Sequence, residues 1–426
     1  MSKVVRCRWR SELESGLPRR DRRSCQYEAY LPDPLSGRPI RLDGDVAADV
    51  ADAETAIARF DAKATALADT EALARLLLRA ESVASSKIEG LEVGGRRLLR
   101  AEAAAELGDQ VSDVTATEVL GNIRAMAWAL EAVGPGDDIT QETLLESHRR
   151  LLAGTRLESL GGRIREEQNW IGGSNYNPCS AVYVPPPPEE VDPLLDDLCT
   201  FCNSDSLPGV AQAALAHAQF ETIHPFVDGN GRIGRALIHL VLRRRGLAQR
   251  ILPPISLVLA TWSRDYVAGL TATRYVGSPQ SADAIEGLNR WIGLFASAGR
   301  RAIGDAEMFE SEVGLLQTRW RRRLGRVRAG SAADRLVYTL AGAPVITVSG
   351  ASVLISRSFQ ATNLGINRLV EAGILRQVTV GRRNRAFEAP EVIRLFTDLE
   401  RRLASPIGDT RSSIPVRRVP HRQPDR

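Results

Sequence analysis

The sequence predicts a mainly α-helical protein of several domains, with only small β elements. Three observations carry this. At 426 residues the chain is too long for one core, since domains run to roughly 100–200 residues. Alanine- and leucine-rich stretches place apolar residues at three- and four-residue steps over most of its length. Strand-like runs are short and sit within residues 165–191 and 335–390. Hydrophobic residues at 43% and charged residues at 25% give an ordinary globular balance, which excludes wholesale disorder.

Residues 1–26 are basic and poor in apolar residues, and they are expected to be frayed and disordered. Two long helices follow, AADVADAETAIARFDAKATAL and EALARLLLRAESVASSKI, the second ended by Gly90 and the glycines of 93–95. Further helices are expected over 98–107, 112–132 and 140–153. The texture then changes. Paired glycines, an aromatic-rich run and four consecutive prolines in 165–191 predict a short hairpin and a proline-set entry into a helix at 189–203. Helices resume at 209–222, 233–245, 262–275 and 284–303. The basic stretch RWRRRLGRVRAGSAA (319–333) reads as a helix end and linker, and the tail after Ser405 as disordered. The expected boundaries are therefore 1–26 (disordered), 27–110 (helical), 111–305 (core), 306–332 (helix end and linker), 333–403 (small module) and 404–426 (tail).

Charge and cysteine content narrow the function classes. A net charge of +4, from 56 basic and 52 acidic residues, is too mild to imply nucleic acid. Only Lys3, Lys63 and Lys87 are lysines, a bias that reflects composition rather than phosphate binding. Five cysteines form no framework, and Cys199 and Cys202 spell CxxC without a second pair, so they read as ordinary helix positions. No apolar run reaches the roughly 18 residues of a membrane span, and the first residues lack the apolar region of a secretory signal. A cytoplasmic chain without membrane contact is expected.

The chemistry concentrates in HAQFETIHPFVDGNGRIGRALIHL (217–240). Its GNGRIG (229–234) has the form of a dinucleotide fingerprint, but the preceding segment is helical and no acid occurs between Arg235 and Asp265. The glycines instead open a helix near Asn230, where successive N–H groups and the helix dipole make an anion nest. Arg232 and Arg235, three apart, can bracket a polyphosphate with forked donors. Asp228 would repel bare phosphate, so its sensible use is to hold a divalent cation that bridges phosphate oxygens. His224 titrates near neutrality and can take a proton from an incoming hydroxyl. The set suits in-line phosphoryl or nucleotidyl transfer.

HPFVDGNGRIGR (224–235) resembles the Fic family signature, H-P-F-x-[DE]-G-N-G-R-x-x-R, at every defined position. Fic proteins are helical enzymes that mostly transfer AMP from ATP to hydroxyl side chains of proteins. The resemblance implies His224 as general base and Asp228 as Mg²⁺ ligand. It implies ATP contacts from Gly229, Asn230, Gly231, Arg232, Ile233, Gly234 and Arg235, the last facing the γ-phosphate. NWIGG (169–173) is similar to the family's flap, a hairpin that grips the target backbone, which implicates Ile171, Gly172, Gly173 and Ser174. WSRDYVAGL (262–270) is similar to the adenine-pocket segment, with Tyr266 in place and Asp265 where a second tyrosine is common. SSKIEG (85–90) fits [ST]-x-x-x-E-[GN] and resembles an inhibitory helix whose glutamate pairs with the last signature arginine. Glu89, with Ser85, is thus expected to restrain the enzyme through Arg235. His148 and His217 lie in helical patterns and read as packing or polar-core residues.

Residues 335–390 read helix, short strand, helix, longer helix, hairpin, the order of a winged helix. SFQATNLGINRLVEAGIL resembles the recognition helix of bacterial regulators, and Arg382, Arg383 and Arg385 in the turn suit a wing against phosphates. Protein contact, including homodimerisation, is the competing use. The sequence thus points to an autoinhibited protein adenylyltransferase using ATP and Mg²⁺ on Tyr, Ser or Thr of a target protein and of itself. The alternatives are a DNA-binding regulator with a slow, nucleotide-sensing core, or an enzyme using another phosphate donor or removing AMP.

Overall fold

The computed structural model describes residues 1–11, 18–64, 70–109, 111, 113–380 and 384–403. In chain order these form β1 (Lys3–Trp9), β2 (Cys25–Leu31), α1 (Gly44–Ala64), α2 (Thr70–Ile88), α3 (Gly95–Glu106), α4 (Val114–Ala132), α5 (Gln141–Leu152), α6 (Val191–Cys202) and α7 (Gly209–Ile223). Then come α8 (Asn230–Arg244), α9 (Ile255–Thr261), α10 (Ser263–Ala272), α11 (Ala282–Leu324) and α12 (Ala332–Gly342). The chain ends in β3 (Val345–Ile346), α13 (Val348–Leu354), α14 (Phe359–Glu371), β4 (Arg376–Val380), β5 (Asn384–Glu388) and α15 (Pro390–Leu403). The fold is mainly helical with small sheets, as the periodicity predicts. It divides into two units, one of residues 1–65, 120–252 and 264–300, the other of 66–119, 253–263 and 301 onward.

The first unit is built around α7. Every residue of this helix is buried, so it is apolar on all sides rather than on one stripe. Its neighbour α8 comes close because of Gly234: a Cβ there would meet Glu221 Oε1 at 2.7 Å and the Phe220 ring at 3.0 Å. Phe220, Phe226, Trp291 and Phe295 fill the surrounding core, and the Trp291 indole N–H donates to the Ala214 carbonyl at 2.7 Å. Tight packing of α7 and α8 fixes both ends of the loop between them.

The amino-terminal residues correct an expectation. Instead of fraying throughout 1–26, Lys3–Trp9 pairs antiparallel with Cys25–Leu31, Lys3 opposite Leu31 and Trp9 opposite Cys25. The alternation was there to read: Arg6 and Arg8 are exposed while Val5, Cys7 and Trp9 turn to the half-buried face. Its arginines disguised a strand as a basic tail. Cys25 is also disulfide-bonded to Cys179, 154 residues away, so the cysteines do make one cross-link. Such a pairing joins segments that only the fold brings together. Cys199 and Cys202 are buried on α6, as ordinary helix positions.

Two further boundaries shift. The helix expected to stop at 303 runs unbroken to Leu324, so 306–324 is helix and only 325–331 links it to α12. Gly299, Gly304 and Gly314 cost the helix backbone entropy without ending it. The expected hairpin in 165–191 reduces to a single bridge, Ile171 to Tyr183, closed by a 3₁₀ turn at Pro178–Ser180.

In the second unit α12 to β5 follow the expected helix, strand, helix, helix, hairpin order, with strands arranged β3-β5-β4. Ser331, Thr347 and Ser358 cap α12, α13 and α14 by accepting the N–H of Asp334, Gly350 and Ala361. Trp320, Leu336, Leu340, Ile366, Leu369 and Phe387 form the core. Buried Arg79 holds Glu102 through both carboxylate oxygens at 2.8 and 3.0 Å and donates to the Gly342 carbonyl at 3.2 Å. Of the expected wing arginines, Arg385 lies over the Phe387 ring, and Arg382 and Arg383 fall outside the described residues, as does the tail from 404.

Because the Cys25–Cys179 bond closes a 154-residue separation, its removal should lower stability by about 2–4 kcal/mol. Urea unfolding with and without dithiothreitol measures this, and the Cys179→Ala variant should lose the dependence on reductant. Coincident wild-type curves in the two conditions would show that the cross-link contributes nothing.

Candidate active site

The loop between α7 and α8 turns on His224. This residue caps α7 in the left-handed region, φ 50° and ψ 61°, a conformation that costs a side chain of the order of 1 kcal/mol or more. Its backbone is held on both sides. The His224 N–H donates to the Phe220 carbonyl at 2.9 Å, and its carbonyl accepts from Arg165 Nε at 2.9 Å and Asn169 Nδ2 at 3.3 Å. Arg165 is itself buried, donating through Nη1 to Glu167 and through Nη2 to Pro186 and Ile223 carbonyls. Burial pushes its guanidinium down to about 10, so it stays cationic at neutral pH. From the sequence alone neither Arg165, which precedes the flap motif, nor Asn169, which opens it, has an assigned role.

Beyond His224 the loop is braced from inside. Asn230 accepts the Phe226 N–H on Oδ1 and donates Nδ2 to the Phe226 carbonyl, both at 2.8 Å. Its side chain therefore ties the loop, leaving its backbone N–H for the helix terminus. His148 of α5 stacks on Phe226 at 3.8 Å. Its Nδ1 accepts the Gly162 N–H at 3.1 Å, so its Nε2 carries the proton and donates to the Asp228 carbonyl at 3.0 Å. His148 is thus a neutral brace, as its helical pattern suggested. Gly229 stands at φ 78°, where a Cβ would meet Leu151 Cδ2 at 2.6 Å. Only glycine lets the chain enter α8 this close to α5.

The first turn of α8 presents the N–H groups of Asn230, Gly231 and Arg232, which have no carbonyl one turn back within the helix. Asp228 lies before it, its side chain 45% exposed, with Oδ2 accepting from Arg232 Nη2 at 2.7 Å. Arg232 is buried, and its Nε and Nη1 have no hydrogen-bond partner among the described residues. Buried donors in that condition suit a ligand rich in acceptor oxygens. The described residues hold no cluster of three His, Cys, Asp or Glu side chains. A metal here would rest on the single Asp228 carboxylate, with phosphate and water completing its shell, which fits Mg²⁺.

Arg235, one turn on, is buried more deeply, with Nη1 3.5 Å from the Tyr266 hydroxyl. That hydroxyl pairs with His217 Nε2 at 2.9 Å, and the two rings stack. Tyr266 is only 4% exposed and neighbours Arg235. Ile233 and Gly234 are buried in α8.

The flap segment is anchored beside this loop. Ile171 and Tyr183 exchange N–H to carbonyl bonds at 2.8 and 3.2 Å. Tyr183 donates its hydroxyl to the Thr222 carbonyl at 2.7 Å, two residues before His224. Gly172 and Gly173 have φ 76° and 78°, and a Cβ on Gly173 would strike the Ser180 carbonyl oxygen at 2.4 Å. Ser174 donates to Asp21 at 2.6 Å.

Residues 138–242 match the Fic/DOC family, and 47–131 match the Fic/DOC family N-terminal region. The chain contains a Fic/DOC domain. It is 31% identical over 192 residues to protein adenylyltransferase fic-1 of Caenorhabditis elegans, covering 42% of this chain and 34% of that one. It is 36% identical over 140 residues to protein adenylyltransferase Fic of Drosophila melanogaster, covering 32% and 26%. The match thus spans about a third or less of those relatives' length. A Fic family protein from Desulfovibrio desulfuricans G20 shares the fold, with a TM-score of 0.51 at 21% identity over 82% of this chain and 97% of that one. The signature loop lies inside the Fic match; Glu89 and Ser85, at the end of α2 in the second unit, lie inside the N-terminal one.

Burial holds His148 down at about 4 and His217 at about 3, against an ordinary 6.5. The unfolded chain therefore binds protons below pH 6.5 that the folded chain refuses, and stability falls as pH drops from 6.5 towards 4. For His148 alone the loss is on the order of 3 kcal/mol. Urea midpoints at pH 7.0, 6.0 and 5.0 should fall steadily, with a shallower slope for His148→Phe; parallel slopes would refute the assignment.

Proposed function

We propose that the chain is an autoinhibited protein adenylyltransferase, moving AMP from ATP to a Tyr, Ser or Thr hydroxyl of a target protein and of itself. The observation that carries this is the Fic signature loop, with His224 locked beside an α8 terminus whose buried Arg232 has donors to spare. In this reading the N–H groups of Gly229 to Arg232 and the Arg232 guanidinium hold ATP phosphates, and Arg235 takes the γ-phosphate. Asp228 would hold Mg²⁺, which would supply positive charge to offset that of the phosphates. His224 removes the proton from the target hydroxyl as its oxygen bonds to the α-phosphorus and pyrophosphate leaves. The flap at Ile171–Ser174 presents the target backbone.

Glu89 supplies the restraint. It follows the last residue of α2, where Ser85 is buried and Glu89 exposed. A carboxylate competing for Arg235 would remove the γ-phosphate's partner and add charge that repels ATP. The C-terminal module is read as a winged helix. Phe359 and Leu364 of α14 are 58% and 70% exposed, where a base-reading helix carries polar side chains, so this reading assigns the module to contact with a second copy rather than to DNA. A cytoplasmic setting belongs to the same reading; among the described residues no helix is long and apolar enough to cross a membrane.

Label transfer from α-labelled ATP tests the mechanism. His224→Ala should lose about 10²–10⁴-fold in rate, and Asp228→Ala should lose its Mg²⁺ dependence along with activity. Glu89→Gly should raise transfer, and adding Arg235→Ala should cancel most of that gain, since both side chains act through one contact. Equal incorporation by wild type and Glu89→Gly would remove the brake.

A further inference from the structure

The amino-terminal hairpin has no part in the mechanism above, yet it is bolted to the flap. Asn177, fully buried in the flap, donates Nδ2 to the carbonyls of Arg20 and Asp21, both at 3.1 Å. Arg23 Nη2 donates to the Cys179 carbonyl at 2.9 Å, and the Cys25–Cys179 disulfide closes the contact covalently. The Trp9 and Trp170 rings meet edge to face at 5.3 Å. These bonds hold the backbone of residues 20–25 against the flap.

Arginines dominate the exposed side chains of this element. Arg19, Arg20, Arg22 and Arg23 are all exposed, the Arg20 side chain by 83%. An open groove of about 520 Å³ separates Arg20 and Arg23 from Ser174, Asn175 and Tyr176 of the flap. Among the described residues Asp21 is the acid lining it; Asp21 is buried, accepts the Ser174 hydroxyl and lies with Oδ2 3.5 Å from Arg20 Nε. Clefts lined by one sign of charge concentrate ligands of the other.

We infer that this arginine rim is the specificity surface of the flap, and that it selects an extended polypeptide with Asp or Glu within about three residues of its acceptor hydroxyl. The inference rests on the adenylyltransferase reading for the hydroxyl and on the groove for the acid. A peptide occupant is favoured over nucleic acid because the facing wall is flap backbone with small polar side chains and one half-exposed tyrosine, Tyr176. Forked guanidinium donors match carboxylates on the other wall. An extended chain advances about 3.3 Å per residue, so residues flanking an acceptor held on the flap pass along the groove in regular steps.

Binding and transfer are measured separately. Fluorescent peptides of equal length, with a central tyrosine flanked by Asp, Asn or Lys, are titrated against the full chain without ATP. The Asp peptide should bind at least tenfold tighter than the Lys peptide at low salt, and the gap should close at high salt. Arg20→Glu, which leaves the Arg23 and disulfide contacts in place, should weaken the Asp peptide at least fivefold with an unchanged melting temperature. Arg20→Lys should retain most of the affinity. Equal affinity across the peptides, or tighter binding of a single-stranded oligonucleotide of matched charge, overturns the inference. The Glu89→Gly variant with ATP then reports transfer. Transfer without preference for acidic peptides sinks the rim and leaves the adenylyltransferase standing; acid-selective binding without transfer does the reverse.

Discussion

A histidine in a left-handed turn is the constraint on which the site depends. An L-residue stays there only if its surroundings outweigh the local cost, and here its backbone is held by several hydrogen bonds. Arg165 and Asn169 grip the His224 carbonyl, Asn230 closes the turn around Phe226, and His148 holds the Asp228 carbonyl from below. The His224 backbone is thereby fixed on several sides. Such preorganisation is what a transfer reaction with little covalent chemistry of its own requires.

The same bonds explain why flap and loop are built as one piece. Arg165 precedes the flap in sequence and holds the loop through His224, while Tyr183 leaves the flap and holds α7 through Thr222. Burial holds the Tyr183 phenol far above its ordinary range, so its hydroxyl remains a donor at any physiological pH. The disulfide and Asn177 extend this frame outward to the amino-terminal hairpin. A displacement of the hairpin would be felt at the flap before it reached His224. Hairpin, flap and loop are therefore linked by short, directional contacts.

Much of this was legible beforehand, and the reasons differ by element. The helices showed because their apolar spacing is local, and the loop because its dense pattern of His, Asp, glycines and arginines has few competing uses. The braces were not legible. Arg165 looked like one more arginine among 53, and only folding shows its forked donors aimed at four carbonyls. Cys25 and Cys179 carried no spacing signal across 154 residues. β1 was misread for the opposite reason: its alternation is local but its exposed positions are arginine, and composition outweighed period. Helix α11 outlasted its glycines because buried residues such as Phe309, Leu316 and Trp320 recur along it.

Tyr266 is tied into the core through its hydroxyl, which the structure joins to His217 and brings to Arg235. His217 is held neutral by burial and by the nearby Arg235 charge, so it can serve Tyr266 as acceptor without adding a second cation. A phenol so held can in turn accept from Arg235 and limit its rotamers. Arginine positioned this way meets a terminal phosphate at low entropic cost, but by the same token it is a fixed target for any carboxylate that can reach it. Under the proposed function, rigidity at Arg235 would favour substrate and inhibitor alike, and a brake acting through it would follow from the design of the phosphate site rather than being an addition to it.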